Sequence, residues 1–227
     1  MSAVAGGTGG HVLVTGFEPF GGDTANPSQE VAKALDGRRL GDTVFRALVL
    51  PVQHEDARAA LVPALAEGGL RAAVLLGLAG GRMRVALERA ALNVMDYLEP
   101  DNRGDVVRGA PCAPGGPAAY WSTLPLAAIL EALGAEGIPA YVSNSAGTFL
   151  CNYTLYAALH ALAETGRGLP AGFIHLPYLP SMVASHGRDE PSMDLALMVR
   201  AAEVAATLAL APQGVAAGRH SATAKPM

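Results

Sequence analysis

Residues 72–76 read Ala-Ala-Val-Leu-Leu, an apolar run with no polar position inside it. A strand with one wet face alternates apolar with polar residues. An unbroken run instead fits a strand covered on both faces, as in a parallel sheet between helical layers. Runs at 11–15, 43–52, 138–142 and 172–175 also read as strands. Residues 27–35, 55–67, 124–133, 153–164 and 193–210 have the apolar spacing of helices. Asn26 and Pro27 supply a cap and a first helical position, and Gly37 ends that helix. Pro63 threatens a kink in the second helix. Strand and helix in alternation imply an α/β fold, a three-layer α/β/α sandwich on a mainly parallel sheet.

The 227 residues suit one domain, with no repeat and no linker long enough to divide it. Residues 1–10 are Gly-rich and expected as a flexible leader, 11–211 as the α/β domain, and 212–227 as a disordered tail. Residues 83–96 alternate loosely and are read as strands; 100–117 is a long Pro- and Gly-rich loop, expected to be mobile. Charged residues are 16% of the chain, against about a quarter in an ordinary domain. That composition leaves apolar surface and points to subunit contacts. A net charge of −4 argues against nucleic acid or an anionic membrane as partner. No apolar run reaches membrane-spanning length, and the N-terminus lacks the signal-peptide pattern, so a cytoplasmic location is expected. In that compartment Cys112 and Cys151 are expected as free thiols. No Cys/His cluster has zinc-ligand spacing, so neither metal nor cofactor is expected. The Gly-rich stretches fail as nucleotide loops. One precedes the first strand, and the other has Gly22 where a Walker lysine belongs.

Ligands of such sheets gather at the carboxyl ends of strands. Phe17, the turn at 77–82, Cys151 and His175 all fall at or just beyond those ends. Residues 143–152 (SNSAGTFLCN) join a strand to a helix, with Thr148 as the expected cap and Cys151 in the first turn. Partial positive charge there favours thiolate, so Cys151 is a candidate nucleophile, with a buried inert thiol as the alternative. Of six histidines, His11 opens a strand, His54 and His186 read as loop residues, His160 is mid-helix and His220 is in the tail. His175 ends a buried strand before a stiff segment at 176–180, which Pro177 and Pro180 bar from being helical. It is either a base for Cys151 or a packed neutral side chain. Glu88 lies between apolar neighbours; the local reading favours an edge residue facing water over a buried group with a partner. Phe17 and Phe20, in a Gly/Pro loop, either plug the core or wall a pocket.

Several blocks together resemble the pyroglutamyl-peptidase I family, the pyrrolidone-carboxylate peptidases. They are TGFEPFGG at 15–22, NPS at 26–28, GGR at 80–82, Glu88-Arg89, Asn93, SNSAGTFLCN at 143–152 and GFIHLPYLP at 172–180. The resemblance runs from about residue 12 to residue 210. It implies a phosphorylase/hydrolase-like sandwich and a cysteine exopeptidase that removes N-terminal pyroglutamyl residues from peptides. It implies Cys151 as nucleophile, His175 as general base and then acid, and Glu88 as the group orienting the imidazole. Phe17, Phe20, Phe149 and Leu150 would wall the pyroglutamyl ring, with Asn26 near its polar edge. By analogy with prokaryotic relatives it implies a homotetramer. The chain departs from the family pattern at Leu78, at 97–99 (Tyr-Leu-Glu), and at Ser181 and Met182. Two rivals remain: a binding protein that keeps the pocket without turnover, and a nucleoside-phosphorylase-like enzyme on the same sandwich.

Overall fold

A computed structural model describes residues 9–187 and 189–212. Its elements in chain order are β1 (His11–Phe17), α1 (Pro27–Leu35), β2 (Arg39–Leu40), β3 (Thr43–Leu50), α2 (His54–Ala66), β4 (Leu70–Leu78), β5 (Val85–Glu88) and β6 (Ala90–Leu92), then β7 (Ala119–Trp121), α3 (Leu126–Ala135), β8 (Ala140–Ser143), α4 (Leu150–Glu164), β9 (Ala171–Leu176), α5 (Pro180–His186) and α6 (Leu195–Leu210). Among the described residues, seven strands form one sheet in the order β2-β3-β1-β4-β9-β5-β8, and β6 and β7 form a separate ribbon. Neighbours β3–β1, β1–β4, β4–β9 and β5–β8 run parallel, while β2–β3 and β9–β5 are antiparallel.

The reversal at β5 has a simple cause. A parallel return needs a crossover of about a dozen residues or more, and only residues 79–84 separate β4 from β5. The chain must double back. It leaves a slot beside β4 that β9 later fills, so β9 has a parallel neighbour on one side and an antiparallel one on the other.

The sheet is covered on both faces, as the run at 72–76 requires. Val74 and Leu76 pack with Val31 and Leu35 of α1, Ile129 of α3, Met182 of α5 and Met198 of α6. Ala73 and Leu75 pack on the other side with Leu61 and Leu65 of α2 and Leu155 of α4. The fold is a three-layer α/β/α sandwich. Asn26 caps α1 through Oδ1, which accepts the Ser28 N–H at 3.0 Å, with Pro27 in the first position. α2 continues past Pro63 to Ala66.

Several local expectations are overturned. The segment after β9 is extended only to Leu179, because Pro180 opens a helix, α5, at the position where a missing N–H costs nothing. His54 and His186 are therefore not loop residues; they begin α2 and end α5. The N-cap of α4 is Phe149, not Thr148, whose Oγ1 instead donates to the Asp96 carbonyl at 2.7 Å. The loop at 100–117 is tied down rather than free. Asn93 donates to the carbonyls of Ala113 and Gly116 and accepts the Ala113 N–H, and Cys112 and Ala113 are buried. The expected tail lies outside the described residues from residue 213 onward, as does the expected leader through residue 8. Among the described residues no helix is long and apolar enough to cross a membrane.

Asn152, fully buried in α4, stitches that helix to the ribbon. Its Oδ1 accepts the Leu92 N–H at 2.8 Å, and its Nδ2 donates to the carbonyls of Leu92 at 2.9 Å and Val94 at 3.0 Å. Asn152→Ala removes a buried side chain's bonds to three partly buried backbone groups. The expected loss is about 3 kcal/mol, read as a lower urea midpoint at unchanged slope.

Candidate active site

Cys151 stands in the first turn of α4, one residue after Leu150. No side chain caps this turn. First-turn N–H groups have no intrahelical acceptor, so their partial positive charge is directed at whatever lies before the helix. The space for the thiol comes from Gly77 in β4. A methyl group there would sit 3.0 Å from the Cys151 Sγ and 2.6 Å from the Phe173 ring. A strand glycine is thus required where the helix end meets the sheet.

His175 lies beside Gly77 in register and opposite Ala86 of β5. Residues opposite one another across an antiparallel pair share a face, and so do positions two apart along a strand. Glu88, two residues beyond Ala86, therefore projects from the same face as His175. The His175 Nδ1 is 2.7 Å from the Glu88 Oε1. Glu88 is fully buried and His175 is 5% exposed, which overturns the edge reading of Glu88. The edge reading failed because β8 pairs with β5 and completes the sheet beyond it. The Phe173 ring packs at 4.9 Å from the imidazole.

Burial by itself would lower the pKa of His175. The Cys151 sulfur and the Glu88 carboxylate on either side outweigh burial and push it up to about 9. A folded-state pKa above the ordinary 6.5 stabilises the fold fully below about pH 6.5. That contribution is lost as pH rises through about 9. Cys112 is a contrast: burial raises its thiol to about 11, against smaller lowering by backbone hydrogen bonds. Both cysteines are free.

Beside Cys151 lies a narrow recess lined by Phe17, Phe20, Asn26, Val52, Leu78, Phe149, Leu150 and Cys151. All five side chains expected at a pocket are here. Phe17 fills both expected roles, since it also packs in the core. Asn26 spends Oδ1 on the Ser28 N–H and hydroxyl, and one Nδ2 hydrogen on the Glu18 carbonyl. That leaves one amide N–H for a ligand. Val52 and Leu78 were not expected as walls. Leu78, a departure from the family pattern, makes its part of the wall apolar. Glu18 was missed as a support: its Oε1 accepts from the Val52 N–H and the Asn102 amide, both at 2.9 Å, and so holds the loop bearing Phe17 and Phe20. A carboxylate between two phenylalanines was the available signal. Tyr97 packs edge-on against Phe149 at 4.6 Å, whereas Leu98 is 88% exposed.

The remaining described histidines have other partners. His11 faces Glu67, His160 bonds Tyr120, His54 packs on Tyr97 and Tyr153, and His186 lies between Asp23 and Glu190.

A thiol at a helix start, an imidazole beside it and a buried carboxylate behind the imidazole, on an α/β sandwich, define a cysteine-dependent hydrolase. The family can be given more closely. The sequence model of the pyroglutamyl peptidase family matches residues 10–211, and the chain belongs to that family. The pyrrolidone-carboxylate peptidase of Pyrococcus furiosus is 45% identical over 202 residues, covering 88% of this chain and 97% of that one. The pyrrolidone-carboxylate peptidase of Klebsiella pneumoniae is 46% identical over 199 residues, covering 88% and 92%. X-ray structures of pyrrolidone carboxyl peptidase from P. furiosus and its Cys-free mutant superpose with a TM-score of 0.84 at 44% identity, covering 88% of this chain and 98% of that one.

Gly77→Ala pushes a methyl group against both Sγ and the Phe173 ring. Displacing an attacking atom by about 1 Å costs on the order of 10²-fold; that loss in kcat/KM is the outcome expected of a nucleophilic Sγ, and the urea midpoint should fall as well, because the Phe173 ring is fully buried. An Ala variant with full activity would show that Sγ does not occupy the space beside Gly77.

Proposed function

We propose that Cys151, His175 and Glu88 carry out the family's activity in this chain, the removal of N-terminal pyroglutamyl residues from peptides by a cysteine peptidase. The observation that carries this reading is the 2.7 Å contact of His175 with buried Glu88, with Cys151 acting on the same imidazole. Cys151 attacks the pyroglutamyl carbonyl as a thiolate, and the first-turn N–H groups of α4 face the developing oxyanion. The imidazolium of His175 gives its proton to the leaving amine, and the C–N bond breaks. Neutral His175 then takes a proton from water, whose oxygen attacks the thioester and displaces the thiolate. Glu88 holds the Nδ1–H and stabilises the imidazolium.

Pyroglutamate is a cyclised, uncharged N-terminus. The recess suits it: Phe17, Phe20, Phe149 and Leu150 contact the ring, and the spare N–H of Asn26 meets a lactam oxygen. A pocket that merely bound the peptide would have no use for the buried pair behind the thiol, which weighs against the binding-protein rival. A phosphorylase would need a phosphate site, and the sequence motifs supply none.

The same reading extends to assembly and location. We place the protein in the cytoplasm as a homotetramer. Trp121, 69% exposed on β7, and Met83, also 69% exposed, are apolar surface of the kind subunit contacts cover. Light scattering at working concentration is expected to give four times the 23.1 kDa chain mass; a monomeric mass would refute the tetramer.

The activity assay is hydrolysis of a chromogenic pyroglutamyl amide, compared with the prolyl and glutamyl amides. Cys151→Ser and His175→Ala are expected to remove nearly all turnover, while Cys112→Ser stays near wild type. Truncating one member of a buried pair costs about 3–5 kcal/mol, so Glu88→Gln, which keeps a hydrogen bond, is the cleaner probe. Its loss is expected on the order of 10²-fold or more. Activity should survive a chelator and end with thiol alkylation. The alkaline limb should fall near pH 9, where His175 loses the proton needed by the leaving amine. A rate that kept rising through that pH would contradict the assignment.

A further inference from the structure

We infer that Arg82 is a positioning residue that holds the Glu88 carboxylate in place behind His175, an inference that rests on the roles proposed for Cys151, His175 and Glu88. The Arg82 Nη1 lies 3.3 Å from the Glu88 Oε1, the same oxygen that meets the His175 Nδ1 at 2.7 Å. The other carboxylate oxygen, Oε2, is buried and has no hydrogen-bond partner. A buried carboxylate is ordinarily held in its charged form by several donors. Here one oxygen takes two cationic donors and the second takes none.

The groups around Glu88 leave Arg82 without a substitute. From β9 come His175 and the apolar Phe173, and from α4 comes Cys151, beyond the imidazole. From β8 comes Ser143, in register with Glu88, whose hydroxyl donates to the Ser145 carbonyl. Arg84 lies over the Tyr141 ring at 4.6 Å. Arg89 is exposed and, as the next residue along the chain, projects away from the Glu88 face. Among the described residues, Arg82 and His175 are the cations paired with Glu88.

Charge accounting shows when Arg82 matters. In the resting state, thiolate, imidazolium and carboxylate sum to one negative charge, which Arg82 cancels. After acyl transfer the sulfur is a neutral thioester and His175 has given up its proton. Glu88 is then a buried anion with Arg82 as its remaining cation. Without Arg82 the carboxylate would lose its charged partner in that state and hold His175 less firmly as the base that activates water.

The turn carrying Arg82 is built rather than loose. The Ala79 N–H donates to the Leu176 carbonyl at 2.9 Å, next to the end of β9. Gly80 lies against Tyr178, where a methyl group would sit 2.2 Å from the phenolic oxygen. Gly81 has φ +75°, a conformation that L side chains rarely adopt. The guanidinium is thereby delivered to the buried pair from the same short turn that forces β5 to run backwards. Its side chain is 35% exposed, so solvent moderates its effect on Glu88.

The test compares Arg82→Gln, Arg82→Lys and the double variant Arg82→Gln/Glu88→Gln with wild type and Glu88→Gln, each checked for an unchanged urea midpoint. Arg82→Gln is expected to lower kcat by about tenfold with little change in KM. Arg82→Lys, which keeps the charge, should restore most of the wild-type kcat. With Glu88 already replaced, removing Arg82 should cost nothing more, because the carboxylate it serves is gone. An Arg82→Gln variant with wild-type kcat would overturn the inference. So would an equal loss in both backgrounds, which marks a structural role independent of Glu88. Failure of the catalytic roles themselves is read separately, from turnover retained by Cys151→Ser or His175→Ala.

Discussion

The arrangement depends on one buried contact, the hydrogen bond between the His175 imidazole and the Glu88 carboxylate. Two titratable side chains this deep in a sandwich would each be costly alone. Together they are tolerable, because one supplies the charge the other needs. The fold meets this requirement with sheet geometry. β9 enters between β4 and the reversed β5, so His175 and Glu88 project from one face at a diagonal across an antiparallel pair. Neither residue reaches the other along the chain, since 87 positions separate them.

The thiol is brought to this pair by the opposite strategy, an omission. Gly77 removes a side chain from β4 where α4 meets the sheet, and the Cys151 sulfur occupies the vacated space. The helix start has no capping side chain, because Thr148 is committed to the Asp96 carbonyl and Phe149 lines the pocket. A cap would have satisfied the N–H groups that the proposed chemistry uses. Asn152, next in sequence, fixes the helix start from its other side by its bonds to Leu92 and Val94. The first turn thus combines the proposed nucleophile and an anchor with a recess wall.

Recognition and chemistry draw on different materials. The recess is apolar and relies on shape, with one spare amide N–H from Asn26 as its polar point. The titratable groups behind it, His175 and Glu88, are shielded from water, where electrostatic interactions are strong. The loop from Phe17 to Asn26 belongs to both parts. It carries two aromatic walls, and it is held by Glu18 on one side and by the cap of α1 on the other.

Much of this was legible in the residues. The apolar run at 72–76 required a sheet covered twice, and Asn26-Pro27 marked a helix start. The small-residue turn before Cys151 marked a helix start with that residue in its first turn, and left open whether its thiol is reactive or inert. These are local facts, set by propensity, capping and periodicity within a few residues. The family resemblance placed Glu88 with Cys151 and His175. Read without that resemblance, Glu88 between apolar neighbours favoured a wet edge, because the sequence does not say that β8 will cover it. α5 was missed because Pro180 was read as a stop, although it occupies the one helical position that tolerates it. Sequence alone determined the alternation of layers and the chemical types available at the strand ends. Tertiary structure alone decided that β5 runs backwards beside β9, that Gly77 makes room for sulfur, and that Arg82 reaches Glu88. Each of these is a contact between segments far apart in the chain or across a turn, and only the packing of the whole sheet fixes its distance.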